Sequence, residues 1–191
     1  MDAGAEGRGQ FPRGIICAEK PDRLWGKDGT TALVVEEGTV WIFGAIEHSN
    51  AECVGTPAYK IGDRFNAVEP VKQGLWKHYG SRAKGIVTGL PLRCDHGGQC
   101  TSDHFQIEPK HFGIRQSLAQ VRDPETKGVI ERFCMTWKKQ VLEGRIYQPL
   151  ADLRKTMREF VDLYNRRWRL EKFGGHTPDE VRQTWLTNQA A

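Results

Sequence analysis

The sequence predicts an α/β domain built on a mixed sheet, and three observations carry this. Two apolar, extended stretches follow one another at 23–35 and 39–47, joined by a turn at Glu36-Glu37-Gly38. A helical pattern occupies 63–79. After it, strand-like and helix-like segments alternate.

The stretch 39–47 (TVWIFGAIE) is apolar almost without a break, as a central strand covered on both faces would be. A third strand follows at 51–60; Pro57 has no N–H to give to a ladder, so that strand belongs at an edge. The helix 63–79 would bury Phe65, Val68, Val71, Leu75 and Tyr79, with Pro70 as an interruption. A fourth strand, 85–94, runs straight into Asp95. A helix at 102–112 contains Pro109, whose cost in a regular helix interior is roughly 3 kcal/mol. A short strand at 113–118 and a polar loop lead to a helix from about Lys127, with Ile130, Phe133, Cys134, Trp137 and Val141 on its apolar side. Pro149 opens the next helix, whose stripe is Leu150, Leu153, Met157, Phe160, Val161, Tyr164 and Trp168. A last short helix starts at Thr177-Pro178. The expected organisation is a flexible Gly-rich arm over 1–20, a core over 21–172 and a tail over 173–191.

The chain has 191 residues, enough to bury a core, and a net charge of only +4. That charge is unevenly placed. Residues 1–137 balance 17 basic against 17 acidic side chains, whereas 138–172 hold ten basic and five acidic. The excess on one segment points to a polyanionic partner. There is no apolar run long enough for a membrane span and no visible export signal. Five scattered cysteines (17, 53, 94, 100 and 134) then fit reduced thiols in a cytoplasm.

Cys94, His96, Cys100 and His104 crowd into eleven residues around Asp95. Their spacing is not the paired Cys-x₂₋₄-Cys and His-x₃₋₅-His pattern of structural zinc sites, so Cys94 and Cys100 are expected to pack as small apolar residues. His96 is a candidate to line the site. The acids carry more. Asp28 lies in the first strand, Asp95 at the end of the fourth, and Glu131 near the start of a helix, with 35 residues between the last two. Carboxylates converging from different elements make the oxygen-rich site that Mg²⁺ or Mn²⁺ prefers. Glu131, Met135 and Lys138 share a helix face opposite the apolar stripe.

These residues fall into motifs. Trp25, Asp28 and Thr30 come first, followed by DHGGQCTS from Asp95 to Ser102. Pro124, Gly128 and the run Val129 to Phe133 follow, and Tyr164-Asn165 and Gly174-Gly175-His176-Thr177-Pro178 close the pattern. In that order, over about 23–182, the chain resembles the catalytic core of insertion-sequence transposases in the D,D-35-E superfamily that includes retroviral integrases. The resemblance implies a ribonuclease H-like fold with a five-stranded mixed sheet flanked by helices. It implies that Asp28, Asp95 and Glu131 bind two Mg²⁺ or Mn²⁺ ions, about 4 Å apart when DNA is bound. It implies phosphodiester hydrolysis at element ends and strand transfer into target DNA, by homo-oligomers in a bacterial cytoplasm. A separate helix-turn-helix subunit would recognise the DNA ends. Lys138, Lys139, Arg166, Arg167, Arg169 and Lys172 are the expected phosphate contacts.

Two rival readings remain: an inactive remnant that keeps the fold and non-specific DNA binding, and a stand-alone nuclease. Gly26 and Gly29 are expected to loosen the strand that carries Asp28. Glu47, at the end of the second strand, is expected to be structural.

Overall fold

The computed structural model describes residues 20–94, 103–118 and 124–190. Strand β1 (Trp25–Val34) turns at Gly38, whose φ is +72°, into β2 (Gly38–Glu47), and the two pair antiparallel from Trp25↔Glu47 to Val34↔Gly38. β3 (Cys53–Gly55) and β4 (Ala58–Tyr59) both pair with β2, on its far side from β1. β5 (Pro91–Cys94) runs parallel to β1, and β6 (Arg115–Leu118) runs parallel to β5. The order β3-β2-β1-β5-β6 is a mixed sheet with β1 central.

β3 and β4 are one edge strand broken at Thr56-Pro57, as the proline requires. The Pro57 carbonyl still accepts the Phe43 N–H at 3.0 Å. The expected strand over 85–94 shrinks to its last four residues. Gly85 and Gly89 take φ of +67° and +68°, outside the extended region. The apolar residues Ile86, Val87 and Leu90 pack into the core from a loop instead. That loop is tied down by Val87 N–H to the Phe112 carbonyl and Gly89 N–H to the Gly113 carbonyl. Gly113 is needed there: its φ is +89°, and a side chain would collide with the Val87 carbonyl oxygen.

Strand alternation gives each sheet face its own core. On one face, Trp25, Phe43 and Leu92 meet α1 (Glu69–Tyr79) through Val71 and Leu75. Phe105 of α2 (Asp103–His111) joins them. On the other, Val40, Ile42 and Ile46 meet α3 (Pro124–Trp137) through Ile130, Phe133, Cys134 and Trp137. α4 (Leu150–Arg167) adds Leu150, Leu153, Met157 and Tyr164 to that face. β2 is therefore covered on both sides, which explains its unbroken apolar run.

Pro70 does not interrupt its helix. A 3-10 turn covers Asn66–Val68 and α1 proper begins at Glu69, so Pro70 sits in the first turn, where its missing N–H would be unpaired anyway. Phe65, expected in the apolar stripe, precedes that turn and is half exposed under the Arg64 guanidinium. Pro109 does lie inside α2, but the helix ends two residues later.

A single π-helical turn, Lys138–Leu142, continues α3 and swings the chain toward α4. The last helix, α5 (Pro178–Ala190), is capped reciprocally: the Glu180 N–H donates to Thr177 Oγ1, and the Thr177 N–H to Glu180 Oε2. Its Arg182 reaches back to Asp22 at 2.8 Å, ahead of β1. No helix among the described residues is long and apolar enough to cross a membrane.

Candidate active site

Asp28 lies in the middle of the central strand, opposite Gly44 of β2. By alternation Trp25 and Lys27 face α1 and α2, so Gly26 and Asp28 face α3. Two contacts fix how α3 sits on this strand. At Gly26, a Cβ would stand 2.5 Å from His48 Nε2 and 3.4 Å from Ile130 Cβ. At Asp28, the carboxylate faces Cys134; burial first, and then that negative charge, push the thiol up to about 12. Two strand residues advance ~6.6 Å and four helical residues ~6 Å, so α3 runs along β1 in step with it.

The glycines thus have the opposite effect from the one expected. Gly26 lets Ile130 settle onto the strand. Gly29 lies against the Phe43 ring, where a Cβ would stand 2.9 Å from Cδ1. Both positions are close approaches, not loose points in the strand.

Glu131 follows Ile130 directly and is exposed, with Met135 (71% exposed) also on the outer side of α3 and Lys138 exposed just after it. It sits one helical turn before Cys134, the residue that faces Asp28. Asp28 is half-buried, and its Oδ1 accepts the Gly29 N–H at 2.8 Å. Asp95, His96 and Cys100 lie outside the described residues. β5 ends at Cys94, whose neighbour Arg93 pairs with Gly26. Cys94 is buried in the core on the α1 side, and its sulfur accepts from Gln116 Nε2 at 3.6 Å. Among the described residues no cluster of three or more His, Cys, Asp or Glu side chains is arranged to hold a metal.

The expected phosphate contacts fall in two places. Lys138 and Lys139 are exposed at the start of the π turn, directly after α3. Arg166 and Arg167 end α4, with Arg166 paired to Asp162 at 3.0 Å. Arg169 donates to the Gly175 carbonyl at 2.9 Å, and Lys172 lies 4.3 Å over the Phe173 ring.

Several polar residues near the acids escape a reading of the sequence alone. Lys27 is buried beside Asp28, its ammonium 4.9 Å from the Phe43 ring and 5.1 Å from the Phe105 ring. His48 is buried behind Gly26, and burial, then the charges of Arg93 and Lys172, lower its pKa to about 4. Period-two alternation from Asp28 would have placed Lys27 on the core side. Nothing in the sequence would have placed His48 beside Arg93 and Lys172.

Glu47 points away from Asp28, on the face of Trp25 and Phe43. Its carboxylate accepts the N–H groups of Ser49 and Asn50 at 3.0 and 3.1 Å, and the Ser49 hydroxyl. Burial outweighs these bonds and raises its pKa to about 7. It organises the turn after β2, the structural role expected of it. Next to it, buried Glu52 pairs with Lys77 at 2.6 Å and with Arg182 at 3.6 Å.

The β3-β2-β1-β5-β6 mixed sheet, with one acid on its central strand and another on a helix packed against that strand, has a ribonuclease H-like fold. Comparisons with solved structures agree. The catalytic core of BIV integrase superposes with a TM-score of 0.62 at 18% identity, covering 89% of this chain and 99% of that one. The HTLV-2 integrase core, solved in complex with magnesium, gives 0.64 at 15% identity over 86% of this chain and 98% of that one.

Sequence relatives narrow the class. Residues 112–178 match the integrase core domain family. The chain is 26% identical over 173 residues to the transposase for insertion sequence element IS629 of Shigella sonnei, covering 91% of this chain and 56% of that protein. It is 25% identical over 172 residues to the putative transposase InsK for insertion sequence element IS150 of Escherichia coli K12, covering 88% and 58%. The resemblance read from the motifs therefore stands: an integrase-core fold with insertion-sequence transposases as relatives. The chain spans a little over half the length of these curated relatives.

Proposed function

We propose that this chain is the catalytic core of an insertion-sequence transposase, a polynucleotidyl transferase that hydrolyses a phosphodiester at an element end and joins the freed 3′-hydroxyl to target DNA. The observation that carries the reading is Asp28 on the α3 side of the central strand, packed against the helix that bears Glu131.

The donors suit a hard divalent cation. Asp28 and Glu131 offer carboxylate oxygens, Asp28 is only half-buried, and Glu131 is open to solvent. Asp95, one residue beyond the end of β5, is the third ligand of the proposal. When bound, Mg²⁺ or Mn²⁺ supplies activation of the attacking oxygen and neutralises charge on the phosphate and leaving oxygen. The chain's own residues hold that charge in place. The sheet fixes Asp28, since β1 is paired along its whole length with β2. The Ile130–Gly26 contact fixes α3 and hence the backbone of Glu131. Lys138, exposed at the start of the π turn that continues α3, is placed to contact a DNA phosphate, and Lys139, Arg166, Arg167, Arg169 and Lys172 extend the basic surface. No covalent nucleophile is required of the protein. Recognition of the element ends is assigned to a separate helix-turn-helix part, and catalysis to a homo-oligomer on paired ends.

The test is Mg²⁺- or Mn²⁺-dependent nicking and joining of a labelled oligonucleotide carrying an element end. Wild type is expected to nick and join, while Asp28→Asn, Asp95→Asn and Glu131→Gln do neither. Nicking without any joined product would favour a stand-alone nuclease. A chain that neither reacts nor binds divalent ions by calorimetry would be an inactive remnant.

A further inference from the structure

A cleft of about 550 Å³ opens on the flank of α3 away from Asp28, between that helix and the end of α4. Its size falls within the roughly 300–1,000 Å³ of ligand-binding pockets. The walls include three aromatic rings, Phe133, Tyr164 and Trp168, and two cations, Arg132 and Lys172, also line it. We propose that this cleft receives one unstacked nucleotide of the DNA strand, its base against Trp168 and its phosphate on Arg132 and Lys172. The proposal rests on the reading of the chain as a DNA-processing core.

The aromatic wall is preformed. Phe133 and Tyr164 meet edge to face at 5.0 Å between ring centroids, and Tyr164 and Trp168 lie tilted at 6.4 Å. Phe133 and Tyr164 are buried, but Trp168 is half exposed at the cleft. The sequence places Trp168 in the core stripe of α4. The structure keeps it packed against that core, half-buried one residue past the helix, where its ring also lines the cleft. Its indole N–H donates to no group among the described residues, so it is available to a ligand. Such a ring, partly covered behind and open in front, is a stacking platform.

Charge selects the occupant. Arg132 is exposed and forms no ion pair among the described residues. Lys172 contributes positive charge as far as buried His48. The lining holds one carboxylate, Glu171. A groove built for an amphipathic helix would be apolar at its floor and rim. Aromatic rings beside cations instead match a base with its phosphate. Position agrees. Arg132 follows Glu131 in sequence and projects about 100° further round the helix. A strand leaving Glu131 would cross Arg132 to reach Trp168.

The experiment uses the full chain in EDTA, so that binding is read without chemistry. The probe is a duplex with a single-stranded extension in which 5-iododeoxyuridine is stepped through each unpaired position. Expected is a photocrosslink to Trp168 or Tyr164 from one position, mapped by mass spectrometry. An abasic residue there should weaken binding roughly 10- to 100-fold. Trp168→Ala should abolish the effect of the abasic residue and Trp168→Phe should preserve it. Thr136→Phe, which narrows the cleft while leaving the aromatic wall intact, should act like Trp168→Ala with an unchanged melting temperature. Crosslinks confined to other faces overturn the proposal, as does equal affinity for intact and abasic probes. A Thr136→Phe protein that keeps base capture but loses self-association also overturns it, since the cleft would then serve a second copy. A chain that captures the base yet never nicks DNA would sink the catalytic reading and leave this one standing. Nicking and joining without base-specific contact would do the reverse.

Discussion

The carboxylate of Asp28 faces the thiol of Cys134, one helical turn beyond Glu131, so strand β1 and helix α3 present their acids from elements locked to each other. Neither acid is part of the hydrophobic core: Glu131 is exposed and Asp28 half-buried. Glu131→Gln should therefore leave the melting temperature within a few degrees of wild type, because surface changes usually stay within about ±0.5 kcal/mol. Nicking should fall by roughly 100-fold or more, the scale on which removing one electrostatic partner of a transition state is felt. Parallel calorimetric melts and gel-resolved nicking check this. A large loss of stability would mean that Glu131 is structural.

Gly26 makes a sharper claim about how the site is held. Gly26→Ala places a methyl 2.5 Å from His48 Nε2 and 3.4 Å from Ile130 Cβ. Overpacking of this kind costs typically 1–3 kcal/mol. It should also lift α3 from β1 and displace Glu131, so activity should fall beyond what stability explains. His48→Ala clears the nearer clash. The double variant should recover part of both losses, with a coupling energy of about 1 kcal/mol in a double-mutant cycle. Strict additivity would show that His48 is not what Gly26 makes room for.

Much of the fold was legible in the sequence because period-two and period-3.6 patterns report directly on which faces are covered. β1, β2, α3 and α4 emerged with nearly their observed limits. The stretch 85–90 misled because Val87 and Leu90 are buried, and Ile86 partly so, from a loop, and apolar content alone does not distinguish a loop packed on a core from a strand. Pro70 misled because its position within the helix depends on where the 3-10 turn ends. At the site, Asp28 and Glu131 could be singled out by their place in the chain, while Asp95 lies outside the described residues. Arg93, Arg132 and His48 gain their interest from cross-element contacts, which no local pattern encodes.

The two buried groups at the end of β2 should give stability a pH dependence with opposing parts. Glu47 is raised from 4.5 to about 7, so its stabilising protonated form is lost as pH rises through that window and ionisation then works against folding. His48 is lowered from 6.5 to about 4, so its contribution is complete above 6.5 and is lost as pH falls toward 4. Each effect is on the order of 3 kcal/mol, and between about 4.5 and 6.5 they largely cancel. Glu47→Gln should expose the His48 part alone, with stability rising from pH 4 to 6.5 and flat above. His48→Gln should expose the Glu47 part, falling from pH 5 to 7. Urea titrations across this range would settle it; two variants with the same slope would show that neither group is responsible.

Arg182 supplies the last test, of how the C-terminal helix is bound to the rest. Its guanidinium lies 2.8 Å from Asp22 and 3.6 Å from Glu52, and Asp22 in turn accepts the Trp25 indole N–H at 3.1 Å. Arg182 therefore connects α5 to the start of the strand that carries Asp28. Removing one partner from a largely buried ion pair leaves charges without compensation, a cost of about 3 kcal/mol. Arg182→Ala should lose that much stability, and Asp22→Asn in the same background should return part of it, since one of the stranded carboxylates is then neutral. Hydrogen exchange should place the first loss of protection in α5 and at the start of β1, ahead of α3. If exchange rises only in α5 and the Asp22→Asn change restores nothing, the helix is an appendage held by its own cap and by Asn50, whose side chain donates to the Pro178 carbonyl at 3.1 Å.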